Sequence, residues 1–317
     1  IRALKLLKDN CFKVDIHLMP DLPGSNLIKD YEMFSTILSN PDYQADQWKI
    51  YPCNVLEFTK IKEWYDAGEY KPYAESDFEG FFDMIIWVMR HTPSWVRINR
   101  IQRDFPGNYI EGGNKFTNLR QMLDSEMKKN NYNSQEIRWN EVKNDYTNVH
   151  KARLVREDYI GSDGLEIFLS HKSCSCDFCW SYFFHQIWLF LYTLLGWHLS
   201  FNGCGNENKI YSFLRLRINQ DTYENCFSEI YRNKAKIREL HVYGKVNDTY
   251  SKDNHKSSQH MGFGKKLMKE AEILAKLCEC DGTMVIAGVG TRNYYRKLGY
   301  DIHYEEKNHG GFMIKNF

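Results

Sequence analysis

The chain has 317 residues, of which 43% are hydrophobic, 26% charged and 15% aromatic; this is globular composition and argues against a mainly disordered chain. Lysine and arginine (42) balance aspartate and glutamate (41), for a net charge of +1, so any surface for a polyanion has to be a local patch. Nine cysteines, an odd number without regular spacing, argue against a disulfide-stapled secreted scaffold and for a reducing compartment.

The opening stretch, Ile1-Arg2-Ala3-Leu4-Lys5-Leu6-Leu7-Lys8, is helical in pattern with no capping residue and no signal-peptide character, and reads as a cut through a longer protein. A strand follows at Lys13–Leu18, then a proline-rich loop at Met19–Gly24, a helix at 27–39 and a short strand at Trp48–Tyr51. Glu75–Met89 predicts a helix, Val96–Gln102 a strand, and 114–129 a further helix. Strands alternating with helices predict βαβ units and a parallel sheet. All seven prolines fall between Pro20 and Pro106, which marks a change of architecture.

Lys143–Val149 is polar and reads as a linker. Beyond it, Leu214, Leu216 and Ile218 alternate with Arg215 and Arg217, and Leu240, Val242, Gly244 and Val246 alternate with Glu239, His241, Tyr243 and Lys245. Both patterns predict strands with two different faces, in antiparallel style. Phe263, Leu267, Ala271, Leu274, Ala275 and Cys278 share one helix face. Thr283–Val289 predicts a buried strand, and Arg292–Leu298 a helix stopped by Gly299.

Two segments can carry chemistry. Gln259-His260-Met261-Gly262-Phe263-Gly264 stands directly before the long amphipathic helix. Glycines there let backbone N–H groups approach a phosphate, which the helix dipole favours. The second segment runs from Gly288 through Tyr294, Tyr295 and Tyr300, a strand entering a glycine-rich turn and a short helix with two tyrosines. A tyrosine hydroxyl at the end of a sheet strand can give a proton or a hydrogen bond to a leaving thiolate.

Together these segments resemble the acetyltransferase domain of the Elongator catalytic-subunit family, within the GNAT superfamily. The resemblance rests on Glu239-Leu240-His241-Val242-Tyr243-Gly244, on Gln259 to Gly264 and on Gly288 through Tyr300. Met19-Pro20-Asp21-Leu22-Pro23, Lys49-x-Tyr51-Pro52 and Arg100-x-Gln102-Arg103-Asp104-x-Pro106 resemble the C-terminal part of that family's radical-SAM barrel. Arg138-x-x-Glu141-Val142 resembles its linking stretch, and Leu214-Arg215-Leu216-Arg217 an early acetyltransferase strand.

The resemblance implies an α/β chain in two parts: a partial radical-SAM (β/α) barrel over 1–142 and a GNAT acetyltransferase domain over 146–317. It implies an acyltransferase that uses acetyl-CoA to place a carboxymethyl-type group at C5 of the tRNA wobble uridine, with tRNA and other Elongator subunits as partners. A cytoplasmic location, extending to the nucleus, is the matching expectation. By carry-over, Gln259, His260, Met261, Gly262, Phe263 and Gly264 hold the pyrophosphate, and His241, Val242, Tyr243 and Gly244 run beside the pantetheine arm. Asn293 joins the cofactor site, and Tyr294 and Tyr295 lie near the thioester. Arg97, Arg100 and Arg103, with Arg90, His91, Trp95 and Phe105 nearby, form the basic and aromatic stretch expected to grip tRNA.

This sequence departs from the family pattern at several points. The cluster motif C-x₃-C-x₂-C is absent, so S-adenosylmethionine and a [4Fe–4S] cluster are expected only in a full-length protein, and this chain alone is expected not to cleave S-adenosylmethionine. Cys53 stands where the family usually has Thr and Phe58 where it usually has Gly, and Trp139 and Asn140 interrupt the linking stretch. Phe178–Asn206 has no charged residue where roughly seven are expected. This insert, about 173–209, reads as a translation artefact or poorly ordered insertion ahead of a membrane anchor. Its Cys174-x-Cys176-x₂-Cys179 and Cys204 are too loosely spaced to assign a metal. The alternatives are a protein (histone) lysine acetyltransferase, with Glu239 as a candidate base, and a catalytically incomplete tRNA-binding fragment.

Overall fold

The computed structural model describes residues 1–173, 209–219, 231–244, 261–303 and 311–317. In chain order the first elements are α1 (Arg2–Asp9), β1 (Asp15–Leu18), α2 (Leu27–Ser39), β2 (Gln47–Ile50), β3 (Val55–Leu56), α3 (Lys60–Asp66), α4 (Tyr73–Ser76), α5 (Phe78–His91), β4 (Arg97–Ile101), β5 (Ile110–Gly112), α6 (Leu119–Lys129) and α7 (Ile137–Asn140). They are followed by β6 (Arg153–Gly161), β7 (Gly164–Lys172), β8 (Ile210–Ile218), β9 (Lys234–Val242), α8 (Phe263–Leu277), β10 (Gly282–Ile286), α9 (Arg292–Arg296), β11 (Asp301–His303) and β12 (Phe312–Asn316).

The chain divides into two units, Val14–Asn140 and Glu141–Phe317, and the first thirteen residues belong with the second. A single cut near residue 142 was expected; α1 departs from it for an electrostatic reason. Arg217 lies buried on the sheet and donates from Nε and Nη2 to Asp9 of α1 at 2.8 and 2.6 Å. Its Nη1 donates to Glu166 at 2.9 Å, and Arg238 donates to the other oxygen of that carboxylate at 2.7 Å. Lys8 stands 3.4 Å from Glu166. Buried charges are tolerated only when paired and hydrogen-bonded, so α1 is bound where its Asp9 is needed.

In the unit Val14–Asn140, local signals set the helix starts. Asn26 accepts from the Lys29 N–H at 3.0 Å, and Asp77 from the Gly80 N–H at 2.9 Å. Asp77 also ends α4, so the helix expected over 75–89 is two helices. The helix expected over 114–129 starts only at Leu119. Strands β1, β2 and β4 form a parallel sheet in the order β1-β2-β4, with helices crossing between successive strands. Leu18, Trp48, Ile50, Ile98 and Ile101 are buried, as are Phe81, Met84, Ile85, Val88 and Met89 of α5. The alternate strand positions carry a polar network. Lys49 pairs with Asp15 at 3.1 Å, and Asn99 donates to Asp15 and Gln47 at 3.0 and 2.7 Å. Parallel sheets are ordinarily covered on both faces.

The second unit is built on a seven-stranded sheet in the order β11-β12-β10-β9-β8-β7-β6. Neighbours are antiparallel except β9 and β10, which run parallel and are joined by the crossover that contains α8. β6 turns into β7 through Ser162 and Asp163, both at positive φ (48° and 60°), the tight hairpin turn that matches strand twist. Leu267, Met268, Ala271, Leu274 and Ala275 of α8 pack against Leu214, Leu216, Ile218, Ala235 and Ile237 on one face of the sheet. Every residue of β8 is buried, Arg215 and Arg217 included, so the second face of that strand is ionic rather than solvated.

The stretch expected to be a polar linker is anchored. Val142 donates to the Ile210 carbonyl at 3.0 Å, and Val142 and Val149 are buried with Tyr211 and Phe263. The insert leaves and re-enters at one point of the sheet. Ser173 donates to the Lys209 carbonyl at 2.8 Å, and Lys172 pairs with Ile210 in the ladder. Residues 174–208, with their four cysteines, lie outside the described residues. Among the described residues no helix is long and apolar enough to cross a membrane.

Candidate active site

β9 and β10 are in register from Gly282↔Lys234 to Val285↔Ile237, where their pairing ends. At that point β9 carries a bulge: on β8, Arg215 faces Glu239 and the next residue, Leu216, faces Ile237, which leaves Arg238 as the extra residue. A bulge bends its strand and sharpens its twist, which parts β9 from β10. Residues 239–242 remain paired to β8 on one side and have no ladder partner on the β10 side among the described residues. The sheet thus opens a wedge beyond Ile237 and Val285.

The N-terminus of α8 lies at the mouth of this wedge. Its cap residue, Gly262, has φ +69°, a backbone that side chains rarely adopt, and a Cβ there would meet nothing within 4 Å. The first turn has no side-chain cap and no acidic residue, and holds exposed Lys265 and Lys266. Cations at this end oppose the helix dipole, so uncapped N–H groups and two ammonium groups together make an anion-binding corner. Phe263 is buried and stacks on His171 (4.3 Å between centroids, 23° between planes). His171 in turn bonds the Ser212 hydroxyl at 2.8 Å, and burial, with Lys266 nearby, lowers its pKa to about 4. A neutral imidazole therefore holds the first turn of α8 against the sheet.

The two adjacent tyrosines are separated by the fold. The Tyr294 hydroxyl is buried with no hydrogen-bond partner among the described residues. It points at Gly264: a Cβ built there would lie 2.8 Å from that oxygen and 3.5 Å from Val242 Cγ2. Burial raises the Tyr294 pKa, which keeps the phenol protonated at neutral pH. Tyr295 lies in the hydrophobic core, its pKa pushed up to about 12 by burial, and packs against Tyr300. Gly299, at φ +87°, ends the α9 turn, as expected of a glycine there.

The structure thus gathers Val242, Gly262, Gly264 and Tyr294, and adds Lys265, Lys266 and His171, which the motif alone did not identify. The signal for the lysines was present as two cations in a first helical turn. Met261 is exposed, and Asn293 is engaged on the surface by Arg296 at 2.8 Å. His241 and Tyr243 are in contact with Phe213, and Tyr243 also packs against the cluster of Val142, Val149, Tyr211 and Phe263. Gln259 and His260 lie outside the described residues. Glu239 is held between Arg215 at 2.9 Å and Lys13 at 3.0 Å, and these cations keep its pKa below the usual value despite burial. A carboxylate so paired is a poor proton acceptor.

The basic residues of the other unit engage different partners. Arg90 lies over Tyr132 at 4.1 Å, and Arg97 begins β4 while Arg100 approaches its end. Arg100 pairs with Asp104 at 2.6 Å. Arg103 lies over Tyr51 at 5.0 Å and Phe105 at 6.0 Å, and Tyr51 meets exposed His17 edge-on at 5.1 Å. His17, Tyr51, Arg103 and Phe105 gather at the C-terminal ends of the parallel strands, where α/β sheets bind ligands. Among the described residues no three His, Cys, Asp or Glu side chains converge on a metal-sized site.

A model of the radical-SAM C-terminal domain matches residues 45–129. The tRNA uridine(34) acetyltransferase of Methanocaldococcus infernus is 38% identical across 99% of this chain and 52% of its own length. Elongator complex protein 3 of Homo sapiens is 35% identical across 99% of this chain and 50% of its own length. The chain therefore spans about half the length of the curated relatives it matches. The solved structure of archaeal Elp3 from Methanocaldococcus infernus, carrying an N-terminal deletion, superposes with a TM-score of 0.76 at 36% identity, covering 100% of this chain and 66% of that one.

Proposed function

The chain belongs to the family of the tRNA uridine(34) acetyltransferases and Elongator complex protein 3, and from that premise we propose that it is an acetyl-CoA-dependent acyltransferase acting on the wobble uridine of tRNA. The observation that carries the reading is the wedge beyond Ile237 and Val285, opening against a helix N-terminus without a side-chain cap and the Tyr294 hydroxyl, which has no hydrogen-bond partner among the described residues. These features fit acetyl-CoA. The N–H groups of the first α8 turn, with Lys265 and Lys266, take the pyrophosphate. The β9 stretch 239–242, beyond the end of its pairing with β10, takes the amides of the pantetheine arm as a strand takes a neighbour. Tyr294 donates to the sulfur as the carbon–sulfur bond of the thioester breaks, and its raised pKa keeps that proton available.

The match of residues 45–129 to the radical-SAM C-terminal domain, with the parallel order β1-β2-β4, supports the further reading that Val14–Asn140 is part of a radical-SAM barrel, whose chemistry would build the carbon–carbon bond at C5 of the uridine. The chemistry proposed for this chain is that of the acetyl-CoA half. tRNA, gripped in part through Arg103 and its aromatic neighbours, and other Elongator subunits are the proposed partners. Lysine acetylation would want a carboxylate base, and Glu239 is committed to Arg215 and Lys13.

Calorimetry with acetyl-CoA and assay of tRNA-dependent release of free CoA thiol test the proposal. Tyr294→Phe should bind acetyl-CoA within about twofold of the parent and release thiol roughly a hundredfold more slowly, the lower end of general-acid contributions. Tyr295→Phe should leave both near the parent. Absence of acetyl-CoA binding, or acetyl-lysine formation on a histone-tail peptide without any effect of tRNA, would refute it.

A further inference from the structure

Three consecutive residues after α1 hold three consecutive residues of β9, each pair 226 positions apart in sequence. The Cys11 thiol donates to the Ile237 carbonyl at 3.1 Å, the Phe12 carbonyl accepts from Arg238 Nη1 at 3.1 Å, and the Lys13 ammonium reaches the Glu239 carboxylate at 3.0 Å. Ile237 is the last β9 residue paired with β10, and Arg238 is the extra residue of the bulge. Cys11 also lies over β10. Its sulfur is 3.8 Å from the Met284 carbonyl, the Ile286 N–H faces it, and it is buried with Met284 and Ile314. The thiol therefore sits where the two strands part, on the face opposite α8, since Val285 and Ala287 are the β10-side residues that pack with α8. Burial pushes its pKa up to about 12, which keeps it a protonated donor. The backbone at this position suits glycine better. Cys11 follows the α1 cap at φ +72°, its N–H bonds the Lys8 carbonyl at 3.0 Å, and the Phe12 N–H bonds the Leu7 carbonyl at 3.0 Å. That is the left-handed helix ending that glycine usually supplies. A side chain kept there against backbone preference is explained by its bonds to β9 and β10.

We propose that Cys11, Phe12 and Lys13 form a clamp that fixes the bulge of β9 and the apex of the wedge, and so positions acetyl-CoA for transfer. This deepens the acetyl-CoA reading and rests on it. The bulge decides which side chains line the wedge. Ile237 packs on the α8 side, and plain alternation would send Glu239 to that side next. With Arg238 as the extra residue, Leu240 packs against the α8 cluster and Val242 faces Gly264 instead. Glu239 is left on the other face, where Arg215 and Lys13 hold it. Arg238 is gripped from both sides, by Glu166 of β7 at 2.7 Å and by the Phe12 carbonyl. The clamp thus joins the one place where β9 changes phase to the one place where it leaves β10. Cys11 is a positioning residue, acting through Ile237 and Ile286 and not on the thioester itself.

The test combines calorimetry with acetyl-CoA and with CoA and amide hydrogen exchange of the ligand-free 317-residue chain. Cys11→Gly suits the backbone and removes the thiol, so its thermal midpoint should stay within a few degrees of the parent. It should weaken acetyl-CoA and CoA alike by about fivefold, the equivalent of one net hydrogen bond. The Ile286 amide should exchange about tenfold faster, because the strands are no longer fixed where they part. Cys11→Ser keeps a donor and should bring both readings to within about twofold of the parent. Parent-like affinity in Cys11→Gly would overturn the proposal, as would Cys11→Ser impaired as much as Cys11→Gly. A Cys11→Gly chain that fails to fold would also overturn it, because the thiol would then serve folding and not the wedge. The exchange reading needs no ligand and separates the two ideas. Absent acetyl-CoA binding in the parent sinks the functional reading, while faster Ile286 exchange in Cys11→Gly still upholds the clamp on the bulge. Acetyl-CoA binding by the parent with unchanged Ile286 exchange in Cys11→Gly sinks only the clamp.

Discussion

Gly264 offers the sharpest probe of the site, because a single methyl group separates folding from binding. In Gly264→Ala the new Cβ would stand 2.8 Å from the Tyr294 hydroxyl, 3.7 Å from its ring carbon Cζ and 3.5 Å from Val242 Cγ2. Only the first contact is too close, and the phenol must retreat by about half an ångström to restore ordinary contact. The atom that moves is the far end of a side chain with no hydrogen bond to lose among the described residues, so the folding cost is small. Glycine to alanine within a helix contributes about 0.5–1 kcal/mol of stability, which offsets that cost. Thermal unfolding should therefore shift by no more than a few degrees. The methyl group, however, lies in the mouth between Val242 and Tyr294. Overpacking a close-fitting site costs about 1–3 kcal/mol, which corresponds to roughly 5- to 150-fold weaker binding. Calorimetry with acetyl-CoA and with CoA reads this directly, and both should weaken alike because the obstruction is steric. Unchanged affinity for both ligands would show that the thioester does not pass Gly264. Gly282→Ala is the contrasting control. Its Cβ would run into the Lys315 carbonyl of β12, a backbone group that cannot retreat, so that variant should lose stability outright.

Asp9→Ala should destabilise the chain by about 3–5 kcal/mol in urea titration, because it leaves Arg217 buried with half of its carboxylate partners gone; a loss below about 1 kcal/mol would mean that α1 is not held by this pair. Asp21 is buried, and burial is the main cause of a pKa raised from 3.8 to about 7, with Asp30 and Glu75 adding to it and the N–H groups of Tyr73 and Ala74 opposing it. Its neutral form is favoured on folding, so the stability it contributes is complete below pH 3.8 and is lost as pH rises through about 7. Thermal melts between pH 5 and 8 should show Asp21→Asn with a flatter decline than the parent, by at most about 1.4 kcal/mol per pH unit, and parallel curves would refute the assignment. Phe58 is fully exposed at φ +61°, where the family it resembles usually carries glycine. Phe58→Gly should stabilise by about 0.5–1 kcal/mol, as relief of left-handed strain exceeds the entropy added to the unfolded chain. A destabilised variant would show that the turn tolerates its side chain without strain.

The sequence by itself determined whatever depends on near neighbours. Periodicity marked α8 from Phe263 onward, alternation marked β8, Gly299 marked the end of the α9 turn, and the glycines at 262 and 264 marked a helix start open to an anion. These follow from backbone sterics and from side-chain spacing along one segment, which a single chain records directly. The tertiary structure decided what depends on partners distant in sequence. Arg215 and Arg217 read only as the second face of a two-faced strand; both are buried, because their carboxylates arrive from Glu239 and from Asp9, the latter 208 residues away. The same pairing gave α1 to the second unit. Tyr294 and Tyr295 are equivalent in the sequence, and only the position of α9 on the sheet sends one hydroxyl to Gly264 and the other ring into the core. The wedge itself depends on a register shift opposite Arg238, and register is a property of two strands that neither carries alone.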